Sequence, residues 1–379
     1  MENHAQRSHE AILRLPLEEL VSSADRDLEE RDLFRQAARS ALYGPRWRAA
    51  GIREARLHGR SGLRGVPTID GGDLLAMVAT GASIRKALLV RPRIWVTSHG
   101  APERPKKWLP LTLADTAHWF RRAGRALELI TGQDGQDTAF FLAMNEPMPL
   151  VADAVPYLWE RADYLAGPRR FEFLIAATSM LWRNRWDRFA LQKKPGWLAG
   201  SVGDARVLAG ELGHDASRLM ALPAKGIFWG ESLDGPAGGA RAELHGLFGL
   251  SESFALYLSA ECREMYAECP AHAGVHLWMD GAVHEVVPEA GEALFVDQAP
   301  AGTEGEYVVT TLSEALPLVR YRTGDRIRVL GTEPCACGIT HPRVRFLGRL
   351  EDPPPAGRVP AEPTGPCSSQ IASERGQAR

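Results

Sequence analysis

Short apolar runs separated by helical patterns limit this chain to a mixed α/β core. The runs DTAFFLAM and FEFLIAAT have the length and composition of buried strands, and RIWVTS is a further strand candidate that enters a polar loop. The segment LADTAHWFRRAGRALELI places its apolar residues on one helical face, and Thr112 stands where a helix cap is expected. Strands that alternate with helices predict an α/β fold, doubly wound in the first half of the chain.

The pattern changes from Ala273 onward, where short strands follow each other closely. VHLWMDG, AVHEVV, EALFVD, GEYVVTTL and DRIRVL are separated by Gly, Asp, Pro or Glu, which predicts a distorted barrel or a small mixed sheet. Residues 353–379 are dense in Pro, Gly and Ser without apolar periodicity and are predicted to be disordered. We therefore expect one folded body over 1–352, with a helical and α/β half (about 1–225) and a strand-rich half (226–352).

Composition and charge narrow the class of function. The chain of 379 residues is 45% hydrophobic with a net charge of −2, so it has no basic field for nucleic acid or an anionic membrane. It contains no run of about 18 apolar residues, and its N-terminus lacks the apolar core of a signal peptide. Five cysteines favour a reduced, cytoplasmic setting over a disulfide framework. We expect a small-molecule ligand and no nucleic-acid or membrane partner, and a homodimer stays open.

The segment GEYVVTTLSEALPLVRYRTGD carries the most specific chemical signal. An alternating strand leads into RTGD, which predicts a tight turn where Gly324 supplies unusual backbone angles. Asp325 then offers two acceptor oxygens that suit the paired hydroxyls of a ribose. Taken by itself, the same segment also fits a turn at the protein surface.

Three stretches in order, ALPLVRYRTGD, CACGITHPR and FLGRLED, resemble the signature of phenylacetate–CoA ligases. Those enzymes belong to the superfamily that forms acyl and aryl adenylates, and the resemblance spans roughly residues 30–352. It implies the fold of the large N-terminal adenylate-forming domain. It also implies ATP-dependent activation of an aryl or arylacetic acid as acyl-AMP, with Mg²⁺ as a cofactor and CoA or another acceptor receiving the acyl group.

The resemblance implies roles for individual residues. LFGLSES is similar to the family motif YGLTE, which assigns Ser251 to the α-phosphate and Glu252 to Mg²⁺; a helix start capped by Ser251 is the alternative. IFWGESL is similar to the strand and loop that place backbone against adenine, and Asp325 and Arg349 are assigned to the ribose. The implied catalytic residues are Ser251, Glu252, Lys106 and Arg349, and the implied nucleotide-binding residues are Thr97, Ser98, Gly100, Gly230, Glu231, Phe248, Gly249, Asp325 and Arg349.

Two departures from the family pattern bear on activity. The phosphate loop TSGTTGxPK appears as TSHGAPERPK, which keeps Thr97, Ser98, Gly100 and Lys106 but gains a proline that cannot donate a hydrogen bond. After the hinge-like GRLED, the family continues with a mobile lid domain that carries a catalytic lysine, whereas no lysine follows Lys225 here. These departures predict that acyl transfer needs a lid or acceptor protein in trans. A catalytically weakened subunit that binds a nucleotide or an acyl-adenylate is the alternative.

Two pairs of cysteine and histidine residues indicate a metal site. Cys269 and His276 are separated by six residues, and Cys335 and Cys337 form a CxC pair. This pattern is similar to the structural zinc site of some phenylacetate–CoA ligases, and three thiolates with one imidazole suit a closed tetrahedral Zn²⁺ site. Thiols without a metal are the other interpretation. The alternative ligands are Cys262 and His272.

Overall fold

The computed structural model describes residues 9–79, 94–97, 107–132, 138–144, 171–177, 196–212, 224–230, 232–234 and 239–350. The predicted disordered tail, 353–379, lies outside the described residues. Within the ranges above, no helix is both long enough and apolar enough to cross a membrane.

Helices dominate the described N-terminal region and then alternate with strands. Two short 3₁₀ helices, Glu54–Arg56 and Arg60–Gly65, lie between the fourth and fifth α-helices. The described α-helices, numbered in chain order, are α1 His9–Leu13, α2 Leu17–Glu30, α3 Leu33–Arg39, α4 Gly44–Ala49, α5 Gly71–Ala79, α6 Leu113–Thr131, α7 Val202–Leu212 and α8 Gly239–Phe248.

The described strands follow one another more closely after Glu252. In chain order they are β1 Ile94–Thr97, β2 Trp108–Leu111, β3 Thr138–Met144, β4 Phe171–Ala177, β5 Trp197–Ser201, β6 Lys225–Trp229, β7 Glu252–Ser259, β8 Glu264–Glu268, β9 Val275–His276, β10 Ala282–Val287, β11 Leu294–Phe295, β12 Glu304–Thr311, β13 Tyr321–Gly331 and β14 Arg343–Arg349.

The strands form a hairpin, β1–β2, and one long hydrogen-bonded series. Its order is β11-β10-β12-β13-β14-β9-β8-β7-β6-β5-β3-β4. Strands β4, β3, β5, β6 and β7 pair in parallel, whereas each pairing from β7 to β11 is antiparallel. The predicted α/β fold is confirmed. The predicted boundary between the two halves, at residue 225, falls at the start of β6. This strand is hydrogen-bonded to β5 on one side and to β7 on the other.

Helix α6 shows how the sequence pattern becomes packing. The Thr112 hydroxyl accepts a 3.0 Å hydrogen bond from the Asp115 backbone, and the Asp115 carboxylate accepts one of 3.0 Å from the Thr112 backbone. Such reciprocal capping stabilises a helix start by about 1 kcal/mol. The face that carries Phe120 and Leu127 is buried against β8. The expected cap and apolar face of this helix are therefore both present.

The RTGD segment is not the tight turn that its sequence predicts. It lies inside β13, opposite a β12 strand that continues on both sides: Val308 pairs with Arg322, and Glu306 pairs with Arg326. One β12 residue therefore faces three residues of β13, which makes a bulge. Gly324, with φ of +75°, supplies the left-handed backbone that the bulge requires. The prediction of a turn was wrong because a glycine with positive φ serves a bulge as well as a turn.

Candidate functional site

The bulge in β13 directs the Asp325 carboxylate toward β7 and β14. Its Oδ2 accepts a hydrogen bond of 2.7 Å from the Tyr257 hydroxyl. Its Oδ1 lies 3.2 Å from Nε of Arg349, the cross-strand neighbour of Asp325 in β14. Burial raises the pKa of Asp325 above its ordinary value, although Arg349 and Tyr257 oppose this shift. Two donors from different strands therefore hold this carboxylate in one orientation.

Tyr257 is itself held by its aromatic neighbours. Its ring stacks on Phe346 with centroids 3.8 Å apart and planes 8° apart, and it stacks on Tyr266 at 5.9 Å and 11°. Burial raises the pKa of Tyr257 well above its ordinary value, and the charge of Asp325 adds to that shift. The hydroxyl therefore stays protonated at neutral pH and acts as a donor to Asp325.

A cavity of about 150 Å³ opens beside Tyr257, Asp325 and Arg349. Gly230 also borders it, from the segment that directly follows the carboxyl end of β6, and Tyr257 lies near the carboxyl end of β7. Ligands of open parallel sheets bind in the crevice outside the carboxyl ends of the strands. The structure thus brings together three residues that the family resemblance assigns to a nucleotide: Gly230, Asp325 and Arg349.

A lysine–glutamate pair lies near this cavity. Nζ of Lys107, the residue before β2, donates a 2.7 Å hydrogen bond to Glu261 and lies 3.4 Å from the Tyr321 hydroxyl. Tyr321 begins the same strand that carries Asp325, and both Lys107 and Glu261 are largely buried. Because Lys107 sits at the loop end of the β1–β2 hairpin, the pair connects that end of the hairpin to the carboxyl end of β7.

Ser251 and Glu252 lie at the opposite, amino end of β7. The Ser251 hydroxyl donates a 3.0 Å hydrogen bond to the Ala224 carbonyl oxygen. A Glu252 carboxylate oxygen is 3.4 Å from Nζ of Lys225, and the other is 4.0 Å from Nε2 of His272. Both residues border a second cleft, which shares Asp234 and Arg345 with the lining of the Asp325 cavity; Ser251 and Glu252 do not border that cavity. Ser251 follows helix α8 and precedes a strand, so the alternative that it caps a helix start was wrong.

The contacts of Phe248 and Gly249 serve the fold: one packs in the core and the other ends a helix. Phe248 is 4% exposed and packs in the core formed with Leu198 and Phe228, so its ring offers almost no surface to a ligand. Gly249, with φ of +64°, donates a 2.9 Å hydrogen bond to the His245 carbonyl oxygen and ends helix α8. Neither residue borders the Asp325 cavity.

Several residues assigned by the resemblance cannot be placed. Ser98, Gly100, Lys106 and Glu231 lie outside the described residues. Thr97 is described through its backbone, which pairs with Trp108 in the β1–β2 hairpin.

The sequence interpretation missed Tyr257, Glu261 and Lys107. A signal for the first two was present, because an aromatic residue and a glutamate four positions later, as in YGLTE, occur twice in this region. One instance is Phe248 with Glu252, and the other is Tyr257 with Glu261. Only the strand topology shows that the second instance lies at the carboxyl end of β7, on the side of Asp325.

The four predicted metal ligands form one cluster. One ligand atom from each of Cys269, His276, Cys335 and Cys337 lies within 4.8 Å of the other three. Sγ of Cys269 is 3.8 Å from Sγ of Cys335, and Sγ of Cys337 is 3.6 Å from Nε2 of His276. Ligands about 2.3 Å and 2.0 Å from a tetrahedral zinc are separated by about 3.5–3.8 Å. The donor set and these two separations therefore fit a structural zinc site.

The surroundings of the cluster orient its ligands. Nδ1 of His276 is 3.0 Å from the His341 carbonyl oxygen, which leaves Nε2 for a metal. The Cys335 amide donates to the Ile339 carbonyl oxygen at 2.8 Å, closing the loop that carries both thiols of the CxC pair. The alternative ligands lie elsewhere: His272 is 3.2 Å from Glu268 and stacks on Phe254, and Cys262 is not part of the cluster.

Comparison with curated proteins finds similarity to phenylacetate–coenzyme A ligases. The chain is 43% identical to the enzyme of Thermus thermophilus over 109 residues, which is 28% of this chain and 22% of that protein. It is 41% identical to the enzyme of Aromatoleum evansii over 108 residues, 28% of this chain and 21% of that protein. The matched stretch thus spans about a fifth of the length of these relatives. Comparison with models of protein families gives no match.

Comparison with solved structures addresses the fold. A 2-hydroxyisobutyryl-CoA ligase in complex with 2-HIB-AMP and CoA superposes with a TM-score of 0.71 at 17% identity, over 93% of this chain and 74% of that chain. An acyl acid amido synthetase in complex with 2,4-DB gives a TM-score of 0.57 at 13% identity, over 92% of this chain and 72% of that chain. The chain therefore has the fold of adenylate-forming acid ligases. In sequence it resembles phenylacetate–coenzyme A ligases, as its motifs indicate.

Proposed function

We propose that this chain binds ATP at the Asp325 cavity and activates a carboxylic acid as its adenylate. The observation that carries the proposal is the Asp325 carboxylate, held by Tyr257 and Arg349 at the edge of a cavity beside the ends of two parallel strands. A carboxylate so oriented suits the two hydroxyls of a ribose, and Arg349 supplies a cation beside it. The likeness to ligases whose crystals contain an acyl-AMP supports the same assignment.

The proposed reaction is an in-line displacement at the α-phosphorus. A carboxylate oxygen of the substrate forms a bond to that phosphorus, the bond to the pyrophosphate oxygen breaks, and acyl-AMP and pyrophosphate result. No general base is required, because a carboxylic acid is already ionised near neutral pH. The contribution of the protein is positioning, through ribose contacts at Asp325 and Arg349, and electrostatic stabilisation.

The substrate in this proposal is an aryl or arylacetic acid. The names of the curated relatives support this class, since the matched proteins are phenylacetate–coenzyme A ligases. CoA or another acceptor then receives the acyl group. We propose that this second step uses a lid or acceptor protein in trans, because only Lys107 and Lys225 occur among the described lysines and neither borders the Asp325 cavity.

The magnesium-binding carboxylate has two candidates. The motif LFGLSES assigns Mg²⁺ to Glu252 and the α-phosphate to Ser251. The strand topology favours Glu261, because it follows the carboxyl end of β7 and pairs with Lys107 at the loop end of the β1–β2 hairpin. Mg²⁺ takes hard oxygen ligands and would relieve the charge of the phosphates during attack. We propose Glu261 as the metal-binding carboxylate.

We also propose that Cys269, His276, Cys335 and Cys337 hold a structural Zn²⁺. Their spacing and the orientation of His276 support this, and a closed set of four protein ligands leaves no position for a substrate. The ion would join β9 and the segment after β8 to the loop that precedes β14.

The alternative is a subunit that binds a nucleotide or an acyl-adenylate with little turnover. The altered phosphate loop favours it, because a proline in that loop removes a backbone donor. The two functions differ in one measurable property, which is whether the protein exchanges labelled pyrophosphate into ATP when an acid is present.

The decisive experiment is acid-dependent ATP–pyrophosphate exchange across a panel of aryl and arylacetic acids, combined with calorimetry of AMP binding. We expect exchange with at least one acid, and we expect Asp325→Asn to weaken AMP binding about 30- to 150-fold by removing a charge-assisted acceptor pair. AMP binding without exchange for every acid would favour the binding subunit. Unchanged AMP affinity in a folded Asp325→Asn variant would reject the assignment of the cavity.

Tyr257→Phe is expected to shift the acidic midpoint of AMP binding to higher pH. Asp325 binds a ribose as a carboxylate, so affinity should fall as the pH drops through its pKa, which burial raises. The Tyr257 hydrogen bond lowers that pKa, so its removal raises the pKa further. Phenylalanine keeps the stacked ring. Calorimetry between about pH 4 and 8 measures the midpoint.

The matched control for this measurement is Tyr266→Phe. Tyr266 stacks on the same ring, but its hydroxyl contacts Tyr307 at 3.4 Å and not Asp325. This variant should keep the wild-type midpoint. Equal midpoints for wild type and Tyr257→Phe would show that the Tyr257 hydroxyl does not tune Asp325.

A further inference from the structure

Glu261 lies in a short turn between β7 and β8. Ser259 and Glu264 form the cross-strand pair that closes these strands, so residues 260–263 make the turn. The Arg263 amide donates a 2.8 Å hydrogen bond to the Ser259 carbonyl oxygen, and Arg263 has a left-handed backbone with φ of +56°. Residues other than glycine keep such a backbone only where surrounding contacts hold it. We therefore expect the contacts of Arg263 to fix this turn.

The Arg263 side chain leaves the turn and bonds two other segments. Its Nη2 donates a 2.9 Å hydrogen bond to the Pro110 carbonyl oxygen in β2, and its Nη1 donates to the Ser313 hydroxyl, which follows β12. Burial lowers the pKa of Arg263, and the charge of Asp115 opposes that shift. The guanidinium is only 4% exposed, and burying a charge is unfavourable unless it is hydrogen-bonded. These bonds therefore hold the side chain in one place.

Two contacts of opposite polarity join this turn to β2. Glu261 accepts a hydrogen bond from Lys107 at 2.7 Å, and Arg263 donates one to Pro110 at 2.9 Å. The segment TSHGAPERPK, which resembles a phosphate loop, ends at Lys106, directly before Lys107. The two contacts thus attach the Glu261 turn to the strand that follows this segment.

Only one of the two contacts uses the carboxylate that a metal ion would need. Mg²⁺ bound to Glu261 would compete with Lys107 for the same oxygen atoms. The bond from Arg263 to Pro110 involves no atom of Glu261, so it can persist when Mg²⁺ binds. Arg263 does not border the Asp325 cavity, which excludes direct contact with a ribose there.

We propose that Arg263 is a positioning residue that fixes the Glu261 carboxylate for Mg²⁺ binding. This inference rests on the proposed function, because it takes Glu261 to be the metal-binding carboxylate. The bonds of Arg263 keep the turn against β2, so Mg²⁺ meets a carboxylate that is already oriented. Loss of the guanidinium would let the turn move and weaken Mg²⁺ binding, while the ribose contacts at Asp325 stay intact.

The test uses Arg263→Met, because methionine fills similar space and has no donor. The measurements on the full chain are acid-dependent ATP–pyrophosphate exchange as a function of Mg²⁺ concentration, and calorimetry of AMP binding without Mg²⁺. We expect the Mg²⁺ concentration for half-maximal exchange to rise on the order of 10- to 100-fold and AMP affinity to stay unchanged. Arg263→Lys should recover part of the loss, because it keeps the charge and one donor group.

A double-mutant cycle separates positioning from a purely structural role. In the Glu261→Gln background, Arg263→Met should raise the Mg²⁺ requirement no further, because the carboxylate that it positions is already gone. The control is Arg125→Met, which removes another buried arginine, one that bonds Asp280 at 2.7 and 2.8 Å. It should lower the melting temperature by leaving a buried carboxylate unpaired, and keep the wild-type Mg²⁺ requirement.

If Arg263→Met does not fold, Ser313→Ala replaces it in the test, because it removes one of the two anchors of the guanidinium. The Mg²⁺ requirement should then rise by a smaller factor. A wild-type Mg²⁺ requirement in the folded variant overturns the inference, while Glu261 keeps its proposed role. An equal rise with and without the Glu261 carboxylate also overturns it. Wild type without exchange would reject the proposed function, and a wild-type Mg²⁺ requirement in Glu261→Gln would reject the metal assignment; the inference fails with either.

Discussion

Replacing Glu261 by glutamine is expected to lower the rate of acid-dependent ATP–pyrophosphate exchange on the order of 10²- to 10³-fold, the scale of losing one preorganised electrostatic contact in a transition state. Glutamine has nearly the same shape but no charge, so it should bind Mg²⁺ poorly and raise the Mg²⁺ concentration needed for half-maximal rate. The measurement is the exchange rate as a function of Mg²⁺ concentration.

Glu252→Gln is the matched comparison, because Glu252 is the residue that the motif LFGLSES assigns to the metal. We expect its Mg²⁺ dependence to resemble that of wild type, since Glu252 lies at the amino end of β7 and pairs with Lys225. Lys107→Gln measures the effect of losing the ion pair alone, because it removes the partner of Glu261 and keeps the carboxylate. A raised Mg²⁺ requirement in Glu252→Gln, with Glu261→Gln unaffected, would restore the assignment made from the motif.

Cys335→Ser is expected to abolish zinc binding and to destabilise the protein strongly. Wild type should contain about one zinc per chain, and binding of a structural zinc contributes directly to folding, with apparent values of about 10–16 kcal/mol in small zinc peptides. A serine hydroxyl is a poor ligand at neutral pH. Metal analysis of purified protein and thermal unfolding with and without a chelator are the two measurements.

Cys262→Ala is the control for this prediction, because Cys262 is buried but lies outside the cluster. It should keep the zinc content of wild type, whatever its effect on packing. Purified wild-type protein without zinc, or a Cys335→Ser variant with unchanged metal content, would contradict the zinc proposal. A chelator that leaves the melting temperature unchanged would contradict its structural role.

The sequence predicts the fold class and much of the cavity, for identifiable physical reasons. Strands such as Phe171–Ala177 are predominantly apolar, and helix α6 has both a capping threonine and a regular apolar face. These are local properties, so they can be recognised without a structure. The association of Asp325 with Arg349 came from family motifs, and the register of β13 and β14 places the two residues side by side.

The remaining features depend on which strand ends face each other. An aromatic residue with a glutamate four positions later occurs at each end of β7, as Phe248 with Glu252 and as Tyr257 with Glu261. Nothing in the local sequence shows which of these two pairs lies beside Asp325. The bulge at Gly324 also has no local signature that separates it from a turn. Lys107 and Glu261 are far apart in sequence, and their contact exists only because the β1–β2 hairpin reaches the end of β7.

The position of strand β7 in the sheet has a consequence for hydrogen exchange. This strand pairs in parallel with β6 and antiparallel with β8. Among the described strands, β7 therefore joins the parallel part of the long sheet to its antiparallel part. Backbone amides in its bonded positions can exchange with solvent only when one of these ladders separates. Hydrogen exchange in β7 should therefore be among the slowest in the chain. A ligand at Tyr257 should slow it further, and the effect should extend to strands on both sides of β7.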